Sequence, residues 1–228
     1  MIAFFTTYAE FWSDWMPRLQ SAAKVTALLS LVGFLLALFL GAVLTAGMRS
    51  HNLHARKLCR GFVEFMKAVP LLALLLALYF GLPPLGLTLS GFWAGALGLG
   101  LHGSAYVAEI LRGGLQAIHK GQREAGLAAG LSPVQVFAHI VMPQAMRIML
   151  PPLLNTYVAL LKDSSLCALI ATDELMLTAR AISSESFLPM HIFLLVGLVY
   201  FLIAFPLSLL ARWLQTRLNA GRRTMGAT

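Results

Sequence analysis

AVPLLALLLALYFGLPPLGLTLSGFWAGALGLGLHGSAYVA, from Ala68 to Ala108, is a run of 41 residues without one charged side chain. A helix needs roughly 20 residues to cross the ~30 Å hydrocarbon layer of a bilayer, so this run is long enough for two crossings. Pro83 and Pro84 divide it near one third of its length. Adjacent prolines remove two backbone donors and fix two φ angles, which favours a turn. On either side lie further uncharged runs, Val25 to Met48 and Ser186 to Ala211. A more polar crossing is placed from Pro151 to Ala171. The expectation is an all-α integral membrane protein with five transmembrane helices, at 24–47, 62–81, 91–111, 150–171 and 190–212.

Composition agrees. Of 228 residues, 59% are hydrophobic and 11% charged, with a mean hydropathy of +0.79. A soluble domain carries about 25% charged residues to hold its surface in water. The net charge of +8 reads as topology because of where it falls. Arg49, Arg56, Lys57 and Arg60 form one basic group, Arg112, Lys120, Arg123 and Arg147 a second, and Arg212, Arg217, Arg222 and Arg223 a third. The segments between them are acidic or poor in bases, the alternation expected when basic loops stay in the cytoplasm. Five crossings then place the N-terminus in the periplasm and the C-terminus in the cytoplasm, and no nucleic-acid partner is needed. Three segments follow: an interfacial stretch at 1–22 marked by Phe4, Phe5, Phe11, Trp12 and Trp15, a membrane domain at 23–213, and a basic cytoplasmic tail at 214–228. The start has no basic region before its first apolar run and does not read as a signal peptide. Cys59 and Cys167 make no metal or disulfide pattern.

The long cytoplasmic connection, about 113–148, reads as two short helices and a sharp turn. Gln122 to Ala129 favours helix, and Gly130 suits the left-handed position after a helix end. Ser132 can cap the next helix, with Pro133 in its first turn and Gln135 at the capping-box position. Val136, Phe137, Ile140 and Val141 share one face, and Pro143 is expected to stop the run. Such an amphipathic pair could rest on lipid or dock into a partner.

Four motifs in order decide the matter: Ser104-Ala-Tyr-Val-Ala-Glu-Ile-Leu-Arg112-Gly-Gly, Gly121-Gln-Arg-Glu124-Ala-Gly-Leu-Ala-Ala-Gly130-Leu, Met142-Pro-Gln-Ala-Met-Arg147-Ile-Met-Leu-Pro-Pro152 and Leu161-Lys162-Asp163-Ser-Ser165-Leu. Over residues 104–170 the chain resembles the permease subunits of ABC importers for polar amino acids. The spacing from Glu124 to Gly130 matches that family's cytoplasmic loop, Glu-Ala-Ala, three variable residues, then Gly. Two departures stand out. Gly126 replaces the usual third-position Ala, lowering helix propensity by about 1 kcal/mol, and Lys67-Ala-Val-Pro70 stands where Arg-Gly-x-Pro is usual. The resemblance implies a coupling helix seated on a cytoplasmic ABC ATPase, with Glu124, Gly130, Ser132 and Phe137 as its contact residues. It further implies a second permease copy or paralogue, a periplasmic solute-binding protein, and a place in the bacterial inner membrane. This chain has no Gly-x-x-x-x-Gly-Lys-Ser/Thr loop, so it is not expected to be an enzyme or to bind a cofactor; ATP and Mg belong on the partner ATPase.

The expected substrate path rests on charged and polar groups inside the spans. Counted from Pro151 at 1.5 Å per residue, Lys162 and Asp163 lie roughly 17–18 Å along the fourth span, where charge faces a cavity or a partner. Asp163, Ser164 and Ser165 are assigned to the path, Asp163 meeting an ammonium or guanidinium group, with an interhelical ion pair as the alternative. His102 and Tyr106 are added as path candidates. Glu64 with Lys67, and Glu109 with Arg112, lie three apart on one helical face; they and Lys162 are read as structural or gate charges. Asp173 and Glu174 are read either as binding-protein contacts or as a solvated helix end. The alternative function is a gradient-driven secondary transporter or channel, whose mark is an internal repeat with broken helices, and no repeat is evident. A membrane enzyme would need a His-Glu-x-x-His, a Gly-x-Ser-x-Gly or a clustered ligand set, and none is present.

Overall fold

The computed structural model describes residues 2–223, with side chains for 6–218. The Phe4 and Phe5 rings, the Arg222 and Arg223 side chains and the last tail residues, 224–228, lie outside the described residues. Among the described residues every regular element is helical. Helices α1 (Ile2–Met48), α4 (Gly91–Gln116), α7 (Met142–Asp163) and α9 (Pro189–Arg223) are the long members. Between them lie α2 (Leu53–Ala68), α3 (Leu71–Gly81), α5 (Lys120–Ala128), α6 (Pro133–Val136) and α8 (Leu175–Ser186).

Three helical stretches are long and apolar enough to cross a membrane: Thr6–Met48, Pro133–Ile170 and Pro189–Leu218. The expected straight span at 62–81 is not present. Helices α2 and α3 meet at a bend of 101° and make a fourth crossing only if counted together. Pro70 is the cause: its ring pushes the preceding residue out of the helical region, and Val69 is extended at φ −82, ψ 128. Helix α4 has 26 residues, about 39 Å of helix at 1.5 Å per residue, but it is rich in glycine and alanine. It lies inside the bundle, with Ala94, Leu99, Ala105, Val107 and Ala108 fully buried. Close packing, not lipid, selects its small residues. A Cβ on Gly41 would lie 2.5 Å from Val107 Cγ1, so α1 approaches α4 at a distance only glycine allows.

Two other expectations need correction. The interfacial segment at 1–22 is not separate from the first span: α1 runs unbroken for 47 residues, about 70 Å of helix. Its N-terminal half packs Trp15, Leu19 and Ala22 against Leu175, Ile182 and Ile192 of α8 and α9. Nor does Pro143 end a helix. The backbone widens into a π turn at Phe137–Val141, in which the Met142 N–H reaches the Phe137 carbonyl, and α7 continues. Proline lacks an N–H; a π turn absorbs the missing bond without breaking the rod. The α6 turn is therefore the start of one long helical run, Pro133–Ile170.

Candidate functional site

Two regions carry the candidate residues, an internal cleft and the α5–α6 hairpin. The cleft has a volume of about 370 Å³ and lies between α4 and α7, lined by His102, Tyr106, Asn155, Thr156, Ala159, Leu160 and Asp163. Asn155, Ala159 and Asp163 follow at four-residue intervals, and such residues share one face of a helix. His102 and Tyr106 stand in the same relation on α4, their rings 5.3 Å apart. Asp163 marks the point where α7 tightens into a 3₁₀ turn, Ser164–Ile170.

The sequence candidates divide here. Asp163, His102 and Tyr106 come together. Ser164 does not join them: it is fully buried and its hydroxyl donates to the Leu161 carbonyl at 2.7 Å. Ser165 is half-buried and outside the cleft lining. Among the described residues Asp163 makes no ion pair within 4 Å, so the interhelical pair offered as its alternative is not formed among them. The same holds for Lys162, which is exposed. His102 Nδ1 is buried without a hydrogen bond of ordinary geometry among the described residues. The cleft thus presents a carboxylate, an imidazole, an amide and two hydroxyls on an apolar floor. Asn155 and Thr156 were missed from sequence; their spacing back from Asp163 was the available signal.

Glu64 with Lys67 and Glu109 with Arg112 are local pairs. Lys67 Nζ lies 3.4 Å from Glu64. Arg112 Nε donates to Glu109 at 3.1 Å and its Nη1 to Gln116 at 3.1 Å. Glu174 overturns its reading as an outer contact or a solvated helix end. It has no exposure, caps α8 by accepting the Leu177 N–H at 2.8 Å, and accepts the Tyr200 hydroxyl at 2.7 Å. The Leu175 N–H beside it donates to Thr26 on α1.

The hairpin is built as its residue types dictate. Gly130 has φ +83. The Gly130 N–H reaches the Leu127 carbonyl at 3.0 Å and the Leu131 N–H reaches the Gly126 carbonyl at 3.1 Å, the paired bonds of a Schellman C-cap. Ser132 and Gln135 form the reciprocal capping box, at 2.8 and 3.3 Å. Gly126 is a packing requirement more than a loss of propensity: a Cβ there would meet Ile140 Cδ1 at 2.7 Å and Val136 Cγ2 at 2.9 Å. Glu124, Gly130, Ser132 and Phe137 all face outward, beside exposed Leu127 and Val134.

A pattern that captures the family described as "Binding-protein-dependent transport system inner membrane component" matches residues 33–224. The chain belongs to that family. It is therefore a multi-pass inner-membrane permease subunit of an ABC importer, a non-enzymatic component whose ATPase is a separate subunit. The permease is 39% identical over 158 residues to the probable glutamine ABC transporter permease protein GlnM of Bacillus subtilis, covering 69% of this chain and 73% of that one. It is 33% identical over 206 residues to the glutamine transport system permease protein GlnP of Escherichia coli K12, covering 90% and 94%. Its fold matches a solved amino acid ABC transporter crystallised with histidines at a TM-score of 0.84 and 27% identity, over 90% of this chain and 96% of that one.

Proposed function

We propose that this permease moves a polar amino acid through the α4–α7 cleft, with Asp163 and His102 as its polar contacts. The observation that carries the reading is the convergence, from two helices, of a carboxylate without an ion pair and an imidazole whose buried Nδ1 has no hydrogen bond of ordinary geometry, in a cavity of about 370 Å³. Buried polar groups without partners are costly to keep, and a solute that bears ammonium and carboxylate groups supplies both. Tyr106, Asn155 and Thr156 complete the lining. Relatives named for glutamine and a fold relative crystallised with histidines favour an amino acid over other solutes.

In this reading the chain crosses the membrane five times, with α2 and α3 together as one broken crossing and α4 as another. Its N-terminus lies in the periplasm and its C-terminus in the cytoplasm, as the basic groups direct. The hairpin presents Glu124, Gly130, Ser132 and Phe137 to a cytoplasmic ATPase that holds ATP and Mg. A second permease, identical or paralogous, completes the path, and a periplasmic binding protein delivers the solute. Glu64, Lys67, Glu109, Arg112 and Lys162 act as structural charges.

The test is purification in mild detergent followed by uptake in proteoliposomes. A stoichiometric ATPase should accompany the chain and be lost when Glu124 and Gly130 are replaced. Asp163→Asn should keep the assembly and lose uptake of radiolabelled amino acids. An Asp163→Asn chain that fails to assemble would return Asp163 to a structural role.

A further inference from the structure

Polar contacts fasten the hairpin to both helices that line the cleft. Arg123, on the same α5 turn as Glu124, sends Nη2 to the Leu115 carbonyl at 3.3 Å, in a half-buried contact. Leu115 lies in the last turn of α4, where carbonyls lack intrahelical partners and the helix dipole favours a cation. One residue earlier, Gln122 Oε1 accepts from Gln144 Nε2 at 3.3 Å, at the start of α7. Beneath these contacts Leu115, Ile118, Val136, Val141, Ala145 and Met149 form one continuous apolar cluster.

That cluster leads to the cleft without a gap. A Cβ on Gly114 would lie 2.4 Å from Met149 Cγ, and one on Gly103 would lie 2.9 Å from Leu160 Cδ1. Helices α4 and α7 are thus in close contact near the hairpin and again at the cleft, where Leu160 is part of the lining. His102 and Tyr106 ride on α4, and Asn155, Ala159 and Asp163 on α7.

We infer that Arg123 is a positioning residue that transmits hairpin displacement to α4, so that movement of the ATPase changes the width of the cleft. The inference rests on the reading of the hairpin as the ATPase-docking element. Helix α7 follows the hairpin because it is continuous with α6. Helix α4 is joined to α5 by a short linker around Ile118 and His119, and Arg123 closes that linker into a rigid corner. Its guanidinium makes this bond from the inner side of α5, while Glu124 and Phe137 remain exposed for the partner. Docking and transmission are therefore carried by different side chains and can be separated by mutation.

The experiment uses the assembled permease–ATPase complex carrying Ala159→Cys, an exposed cleft position. Maleimide labelling is measured without nucleotide and with ATP plus vanadate, and the parent chain supplies the blank for Cys59 and Cys167. With Arg123 present, nucleotide should change the labelling rate on the order of 5-fold, the lower end of ordinary coupling. Arg123→Gln should abolish that change while the ATPase co-purifies in the same ratio, and Arg123→Lys should restore part of it. Three results would overturn the inference: Arg123→Gln keeps the nucleotide effect, Arg123→Gln sheds the ATPase, or nucleotide has no effect in the complex that retains Arg123. If the unmodified chain binds no ATPase, the docking reading itself fails, which is a different result.

Discussion

At Gly130 the backbone sits at φ +83 with no atom near a would-be Cβ, so conformation alone excludes other residues there. Gly130→Ala should lower the stability of the hairpin by about 1 kcal/mol from the left-handed conformation, seen as faster hydrogen exchange confined to α5 and α6. Gly126 behaves differently. Alanine there gains about 1 kcal/mol of helix propensity but must displace Val136, a stiff β-branched neighbour. Overpacking costs typically 1–3 kcal/mol, so Gly126→Ala should lower the thermal midpoint slightly, and Val136→Ala should cost less in the Gly126→Ala chain than in the parent. The role of Gly130 was legible in the sequence because a helix end followed by glycine is a local pattern. That of Gly126 was not, since its reason lies ten to fourteen residues away, on Val136 and Ile140.

Among the elements, the loop between the 3₁₀ turn and α8 shows how a charge can mislead. Glu174 follows an apolar span and precedes a helix, which reads as a wet outer end. The structure buries it under Tyr200, where it holds α8 against α9 while its neighbour Leu175 bonds Thr26 on α1. Tyr200→Phe leaves one carboxylate oxygen without that bond. The expected loss is about 1–3 kcal/mol, measured by thermal unfolding of the detergent-solubilised protein. An unchanged midpoint would mean that water replaces the hydroxyl. The bend at Pro70 and the π turn before Pro143 teach a related lesson. Proline marks both places in the sequence, but at Pro70 the preceding residue is extended and the chain bends by 101°, whereas before Pro143 a π turn lets the helix run on.

On the scale of the whole molecule, a long-range ion pair ties α1 to α8. Arg18 on α1 donates to both carboxylate oxygens of Glu185 on α8, at 2.6 and 2.9 Å. The Arg18 guanidinium holds the Glu185 carboxyl below the usual carboxylate range. A depressed acid stabilises the folded state above its unfolded pKa, about 4.3, and the contribution disappears as pH falls through the lowered folded value. Glu185→Gln should therefore loosen the α1–α8 contact at pH 7, with a difference that shrinks as pH falls below about 4.3 and vanishes only below the lowered folded value, read as protease sensitivity near Ser186. Because the pair is exposed, raising the salt concentration should shrink the difference at pH 7 as well.

Hydropathy, the alternation of basic loops and the local caps of the hairpin are properties of contiguous residues, and the sequence alone determined them: a helical membrane protein, its family, and the caps of its α5–α6 hairpin. The burial of Glu174 beneath Tyr200, the bond from Leu175 to Thr26 and the meeting of Asp163 with His102 depend on residues far apart in the chain. Only the packing of the helices against one another decided those. A side chain's surroundings in a bundle are set by the neighbouring helix, and helix contacts through glycine leave almost no periodic trace in either strand of sequence.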